Sequence, residues 1–182
     1  KGVLVTHRSA VNLWTGLHRA IYGELGAGPL RVGLNASLCF DASVQQILAL
    51  LGGHGLCVVP QEIRLDGDAM VAFTRRHRLD VLDCVPTQLR LLLGAGLLDG
   101  DGWRPRVLLP GGEAIDEATW QVLAAAKGTA VHNLYGPTEC TVDATACRVG
   151  AGAERPSIGR PLANACAYVL DGHLEPVPVG VP

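Results

Sequence analysis

Charge is scarce in these 182 residues: Asp, Glu, Lys and Arg make up 18%, and the formal net charge is -2. No basic run occurs, so the chain lacks the electrostatic footprint of a nucleic-acid binder, and no nucleic-acid partner is expected. Long apolar stretches are missing as well. None approaches the about 20 residues that a helix needs to cross a bilayer, and no charged leader with an apolar core opens the chain. The expectation is a cytoplasmic protein with no membrane partner. Paired cysteines are also lacking: Cys39, Cys57, Cys84, Cys140, Cys147 and Cys166 are scattered without a Cys-x-x-Cys motif. That spacing reads as reduced, buried thiols, not as a disulfide framework or a metal site. No internal repeat, low-complexity tract or linker is present, and no Ser-His-Asp set or reactive cysteine stands out. What the chain does have is aliphatic residues: 48% is hydrophobic, enough to bury the core of one compact domain.

Along the chain, short apolar runs alternate with stretches of helical periodicity. Val3-Leu4-Val5 reads as a short buried strand, and Ser9 as the cap of a helix carrying Leu13, Trp14, Leu17 and Ile21 on one face. Strands are expected at Arg31 to Ala36, at Leu56 to Val59 as a buried strand, at Val81-Leu82, at Arg106 to Leu109 and at Thr129 to Leu134. Helices are expected from Asp41 or Ser43, from Gly67 to Arg78, from Pro86-Thr87 and from Asp116 to Ala126. Such alternation with short connections predicts an α/β fold, a predominantly parallel sheet flanked by helices, with ligands at the strands' carboxyl ends. Asp41, Asp83, Gly111 and Tyr135 all follow expected strands and so share one rim. After Glu139 the pattern changes, and Thr141 to Cys147 and Cys166 to Leu170 read as β segments without helices between them. The expected division is an α/β part over about 1–139 and the start of a β-rich subdomain over about 140–182.

The stretch His132-Asn133-Leu134-Tyr135-Gly136-Pro137-Thr138-Glu139 gathers a ring, a forced turn, a hydroxyl and a carboxylate at a strand's end. Gly136-Pro137 breaks the strand, because Pro has no N–H for a ladder. Tyr135 then offers a flat face, Thr138 a donor for an anionic oxygen, and Glu139 a hard-cation ligand. Taken alone, the stretch better suits a surface turn with a buried Tyr and a solvated Glu. It is accompanied, however, by Phe40-Asp41-Ala42-Ser43 upstream and by Leu109-Pro110-Gly111-Gly112-Glu113-Ala114 between the two. In order and spacing these blocks resemble the adenylation domains of nonribosomal peptide synthetases, within the adenylate-forming, AMP-binding enzymes. Lys1-Gly2 resembles the end of that family's glycine-rich phosphate loop.

The resemblance implies activation of an amino acid with ATP to an aminoacyl-AMP, then loading onto a carrier-protein phosphopantetheine thiol. Carrier-protein and condensation domains are the implied partners, and antibiotic or other secondary-metabolite synthesis the implied setting. It assigns the nucleotide to Gly111, Gly112, Glu113, Asn133 and Tyr135, the phosphate to Thr138 and magnesium to Glu139, with Thr138 and Glu139 as the catalytic pair. Asp41 corresponds to the residue that pairs with the substrate's α-ammonium, a charge-assisted contact. The family's pocket positions fall on Asp41, Ala42, Gln45, Asp83, Leu109, Gly111, Leu134, Val142 and Asp143. Leu109, Leu134 and Val142 would line an aliphatic slot, and Gln45, Asp83 and Asp143 would supply polar groups at its far end. A short methylene stem with a hydrogen-bonding tip fits, and the pattern resembles the family's glutamine-type pocket. The alternatives are an acyl- or aryl-CoA synthetase, whose substrates carry no α-amino group, and a non-catalytic nucleotide-binding module.

By the same resemblance the phosphate loop is expected before Lys1, and the ribose-binding Asp, hinge and C-terminal lysine after Pro182. These 182 residues by themselves are therefore expected to support no adenylation. Turnover by the purified segment in an aminoacyl-AMP assay is the result that contradicts this, whereas weak adenine-nucleotide binding does not.

Overall fold

The computed structural model describes residues 2–178 and 180. Lys1, read above as the end of a phosphate loop, lies outside the described residues, as do Val179, Val181 and Pro182. The described chain forms a sheet of seven strands: β1 (Arg31–Leu34), β2 (Gly55–Val58), β3 (Val81–Cys84), β4 (Val107–Pro110), β5 (Ala130–Tyr135), β6 (Thr145–Arg148) and β7 (Arg160–Pro161). Their order is β2-β1-β3-β4-β5-β6-β7. The first five are parallel, and β6 and β7 continue the same sheet antiparallel.

Helices cover both faces, as a parallel sheet requires. On one side α1 (His7–Ala20) and α2 (Ala42–Leu48) pack over the sheet, with Leu13, Trp14, Leu17 and Ala49 against Val32, Val81, Val107 and Leu109. On the other, α3 (Gly67–His77), α4 (Pro86–Gly94) and α5 (Glu117–Ala124) bring Met70, Leu89 and Trp120 against Leu82, Leu108 and Val131. Alternate residues of β3 and β4 thus serve opposite cores, which is the period-2 geometry of a strand buried on both faces. Helix starts carry their own caps: Asp66 accepts from Ala69 N at 2.9 Å and Asp116 from Thr119 N at 2.8 Å.

Five expectations need correction. Val3-Leu4-Val5 forms no strand and is exposed, Leu4 completely, because no sheet edge lies beside it. The cap of α1 is Thr6, whose hydroxyl accepts from Ser9 N at 3.1 Å, so the helix begins one turn before its apolar face does. β2 is an edge strand and only partly covered, not buried. Cys166 to Leu170 contains a single bridge, Leu170 with Pro176, and no strand. Cys39, Cys140 and Cys166 are exposed, since all three sit in turns or the tail beyond strand ends; Cys84 and Cys147 are the buried thiols.

Candidate active site

The strand order reverses between β1 and β3: the chain leaves β1 for β2 on one side and leaves β3 for β4 on the other. Such a reversal opens a crevice at the carboxyl edge where ligands sit. The two strands share the register pair Val32 with Val81, whereas β3 and β4 stay in register through Cys84 and Pro110. A cavity of about 400 Å³ occupies the opening. All nine of the pocket residues expected from the sequence line it: Asp41, Ala42, Gln45, Asp83, Leu109, Gly111, Leu134, Val142 and Asp143.

Each is delivered by a recognisable device. Asp41 stands at the start of α2 without capping it, so its carboxylate is free for other partners. Leu109 and Leu134 come from neighbouring strands of the buried sheet. Gly111 crosses so close to β5 that a Cβ would lie 3.0 Å from the Leu134 carbonyl oxygen. Val142 and the preceding Thr141 both adopt left-handed backbone, φ 67° and 65°. For a β-branched residue that costs roughly 1–3 kcal/mol, and strain of this kind clusters where a side chain must be aimed. Here it turns Val142 and Asp143 into the cavity.

The cavity is electrostatically unbalanced. Burial, with Asp143 and then Asp41 nearby, holds the Asp83 carboxyl well above the usual carboxylate range. Burial, reinforced by Asp41, pushes the Asp143 carboxyl up to about 7. Among the described residues no Lys or Arg lines the cavity. Two groups are also left without partners among the described residues: the buried donor Gln45 Nε2 and the buried acceptor Asp143 Oδ2. A buried polar atom without a partner costs about 1–3 kcal/mol, which a ligand of matching polarity recovers. The pH consequence has a definite sign. Because the folded carboxyl titrates near 7 and the unfolded one near about 4, the folded state binds more protons between those values, so stability falls as pH rises through that window. Asp143→Asn is expected to flatten this dependence and to raise the melting temperature of the unliganded protein above pH about 7. Thermal melts without amino acid, taken across that range, check it.

A second cavity, about 360 Å³, adjoins the first across Gly112, Glu113 and Leu134, which line both. Tyr135, half exposed, and buried Asn133 face it together with Pro156, Ser157 and Ile158. Asn133 Nδ2 donates to the Ser157 carbonyl at 2.8 Å, and its buried Oδ1 has no partner among the described residues. A flat ring beside an unpaired acceptor suits a base with an exocyclic amine. Glu113, also expected in this loop, is engaged elsewhere: its Oε2 accepts from Thr87 N at 3.0 Å and Thr87 Oγ1 at 2.6 Å, capping the start of α4. The segment 156–158 was not legible as part of this site, because nothing in its composition marks it and only the sheet's fold brings it under β5.

Beyond Tyr135 the chain turns through Gly136, where packing leaves no room for a side chain. An added methyl would lie 2.6 Å from Ala144 N and 2.7 Å from Asp143 Cα, with the Val142 carbonyl nearer still. Gly136→Ala is therefore expected to cost about 1–3 kcal/mol of stability and to displace Tyr135 and Val142 together. Denaturant midpoints and amino-acid KM, both measured on the variant, test that coupling. In the 3-10 turn Thr138–Cys140, the Thr138 hydroxyl donates a short hydrogen bond to Asp41 Oδ2. The expected phosphate contact and the expected ammonium contact thus meet at one point. Glu139 is exposed and lines a third cavity, about 670 Å³, with Arg8, Asn12 and Asn164, and Asp143 lines both this cavity and the first.

The AMP-binding enzyme family matches this chain over residues 1–182. The AMB antimetabolite synthetase AmbE of Pseudomonas aeruginosa is 51% identical over 172 residues, which covers 94% of the chain and 8% of that protein. Bacitracin synthase 1 of Bacillus licheniformis is 38% identical over 192 residues, covering 100% of the chain and 4% of the synthase. Among solved structures, the Vibrio cholerae adenylation domain AlmE in complex with glycyl-adenosine-5'-phosphate superposes with a TM-score of 0.81 at 27% identity, over 95% of this chain and 32% of that one. A four-domain nonribosomal peptide synthetase bound to AMP and glycine superposes with a TM-score of 0.84 at 29% identity, over 98% and 13%. The chain belongs to the AMP-binding enzyme family, whose members are adenylate-forming ligases. It spans less than a tenth of either synthetase and a third or less of either solved chain.

Proposed function

We propose that this chain supplies the amino-acid and adenine subsites of an adenylation domain in a nonribosomal peptide synthetase, with glutamine as its amino acid. In the reaction, a substrate carboxylate oxygen attacks the α-phosphorus of ATP. The bond from that phosphorus to the bridging oxygen breaks, pyrophosphate leaves, and aminoacyl-AMP remains for a carrier-protein phosphopantetheine thiol. The observation that carries the glutamine reading is the unpaired set at the far end of the first cavity. Gln45 Nε2 lacks an acceptor and Asp143 Oδ2 lacks a donor. A terminal carboxamide offers both, a carbonyl to the first and an N–H to the second. A terminal carboxylate would instead add negative charge to a cluster whose carboxyls already resist ionisation.

At the other end, Asp41 supports binding of an α-ammonium, a contact for which an acyl- or aryl-CoA synthetase has no use. Leu109, Leu134 and Val142 hold the methylene stem between the two ends, and Ala42 and Gly111 leave room for it. The chemistry is mainly orientation and charge neutralisation. Tyr135 stacks on adenine, Asn133 Oδ1 accepts from its amine, and Gly112 and Glu113 form the loop beside it. Thr138 donates to a phosphate oxygen once Asp41 has turned to the ammonium. Among the described residues no group of three or more His, Cys, Asp or Glu forms a ready metal cage. Magnesium shared between one carboxylate, substrate phosphates and water needs none, so the exposed Glu139 fits it. Bound there, the ion would neutralise charge on the phosphates. In the same reading residues up to about 139 form the α/β part and those from about 140 begin a β-rich subdomain, in a cytoplasmic enzyme.

ATP–pyrophosphate exchange by the intact protein, run with the proteinogenic amino acids and with simple acyl acids, tests this. Exchange led by glutamine is expected. Exchange with acyl acids alone points to the CoA-ligase alternative, and none with any acid to a non-catalytic module.

A further inference from the structure

The opening between β1 and β3 is closed by side chains instead of backbone. Past the Val32–Val81 pair, β1 directs its ladder to β2 and β3 directs its own to β4. Asn35, one residue beyond β1 and 7% exposed, donates through Nδ2 to the Asp83 carbonyl at 2.7 Å. Its Oδ1 accepts from Gln46 Nε2 at 3.1 Å, and Gln46 Oε1 accepts from Ala36 N at 3.1 Å. Gln88 of α4 flanks the bridge, with its Oε1 3.5 Å from Asn35 Nδ2 and its Nε2 donating to the Arg64 carbonyl at 2.8 Å. Each nitrogen and oxygen of the Asn35 and Gln46 amides has a partner. Buried amides demand this, and a fully paired network then permits one arrangement only.

The bridge joins the two elements that define the cavity's length. Gln46 lines the cavity, as Asn35 does, and it is the neighbour of Gln45 on α2, the helix that Asp41 precedes. At the other end the bond lands on the backbone of Asp83. We propose that Asn35 and Gln46 are positioning residues, an inference that rests on the amino-acid reading of the cavity. Their amide bridge fixes the width of the β1/β3 opening, and with it the distance from Asp41 and Gln45 on α2 to Asp83 on β3, which sets the size of side chain accepted. Both line the cavity, but their amide groups are engaged by the protein, so they act on the substrate through the bridge.

The test uses ATP–pyrophosphate exchange by the intact protein. The substrates are the amino acid the wild type prefers and its homologue one methylene shorter. Gln46→Glu keeps the size and the acceptor for Ala36 N, yet sets a carboxylate oxygen against Asn35 Oδ1. Asn35 relieves that repulsion by turning its amide over, which gives Nδ2 to the carboxylate and breaks its bond to the Asp83 carbonyl. Asn35→Ala removes the bridge outright. In both variants the ratio of kcat/KM between the two amino acids is expected to fall about tenfold, the scale of one methylene in a fitted pocket. Amino-acid KM rises while ATP KM stays within about twofold. A lower melting temperature with an unchanged ratio overturns the proposal, because the bridge then only stabilises the fold. Equal rises in both KM values overturn it too. If Asn35→Ala does not fold, the isosteric Gln46→Glu carries the measurement. A wild type that exchanges with no amino acid sinks the reading of the cavity and this inference with it, whereas unmoved ratios beside normal wild-type exchange sink the inference alone.

Discussion

Glu139→Gln in the intact protein lowers ATP–pyrophosphate exchange by roughly a hundredfold or more, equivalent to about 3 kcal/mol of barrier. The substitution removes a charge and keeps the shape. Glu139 is exposed in the turn Thr138–Cys140, and among the described residues it takes part in no ion pair, so folding has little to lose. The whole effect should therefore fall on the metal-bound nucleotide. Two readouts separate this from a general defect. Circular dichroism and melting temperature stay at wild-type values, and part of the lost exchange returns as magnesium is raised. Near-normal exchange at ordinary magnesium would return Glu139 to being the solvated residue of a surface turn.

How much of this was legible in the chain follows from which forces are local. The alternation of strand and helix could be read because each apolar run is bounded by its own punctuation, Gly55 and Pro60 around β2, Pro86 at the start of α4, Asp116 before α5. The rim of Asp41, Asp83, Gly111 and Tyr135 followed from that alternation, since parallel strands place their exits on one side. Tertiary facts were not legible. Val3-Leu4-Val5 has strand composition, but a strand needs a neighbour with free backbone groups, and none is at hand. Cys39 and Cys140 lie near apolar residues in sequence yet in turns in space. The bond from Thr138 to Asp41 joins residues 97 positions apart and has no local signal. Asn35 fell inside the strand expected at Arg31 to Ala36, whereas β1 ends at Leu34, and its partners on α2 and β3 come from the strand order β2-β1-β3.

Gln45→Lys should move preference from glutamine toward glutamate. Gln45 is 3% exposed, lines the first cavity and leaves its amide nitrogen unpaired. Lysine puts an ammonium in that place, where it can pair with a substrate carboxylate and offset Asp83 and Asp143. Both carboxyls should then titrate lower, because a cation beside them favours their charged forms. Burying the new ion pair costs desolvation, so total exchange drops even as selectivity changes. The quantity to measure is therefore the ratio of kcat/KM for glutamine to that for glutamate, wild type against variant. A shift of about 1–2 kcal/mol, roughly five- to thirtyfold, is within the range of one recast polar contact. The direction distinguishes two pictures of the cavity. If Gln45 meets the substrate's tip, the ratio moves toward glutamate and the shift persists across pH 6 to 8, a window about the value near 7 to which Asp143 is raised. If the lysine is instead neutralised by Asp83 and Asp143 without contacting substrate, activity falls for both amino acids by the same factor, and the assignment of glutamine loses its main support.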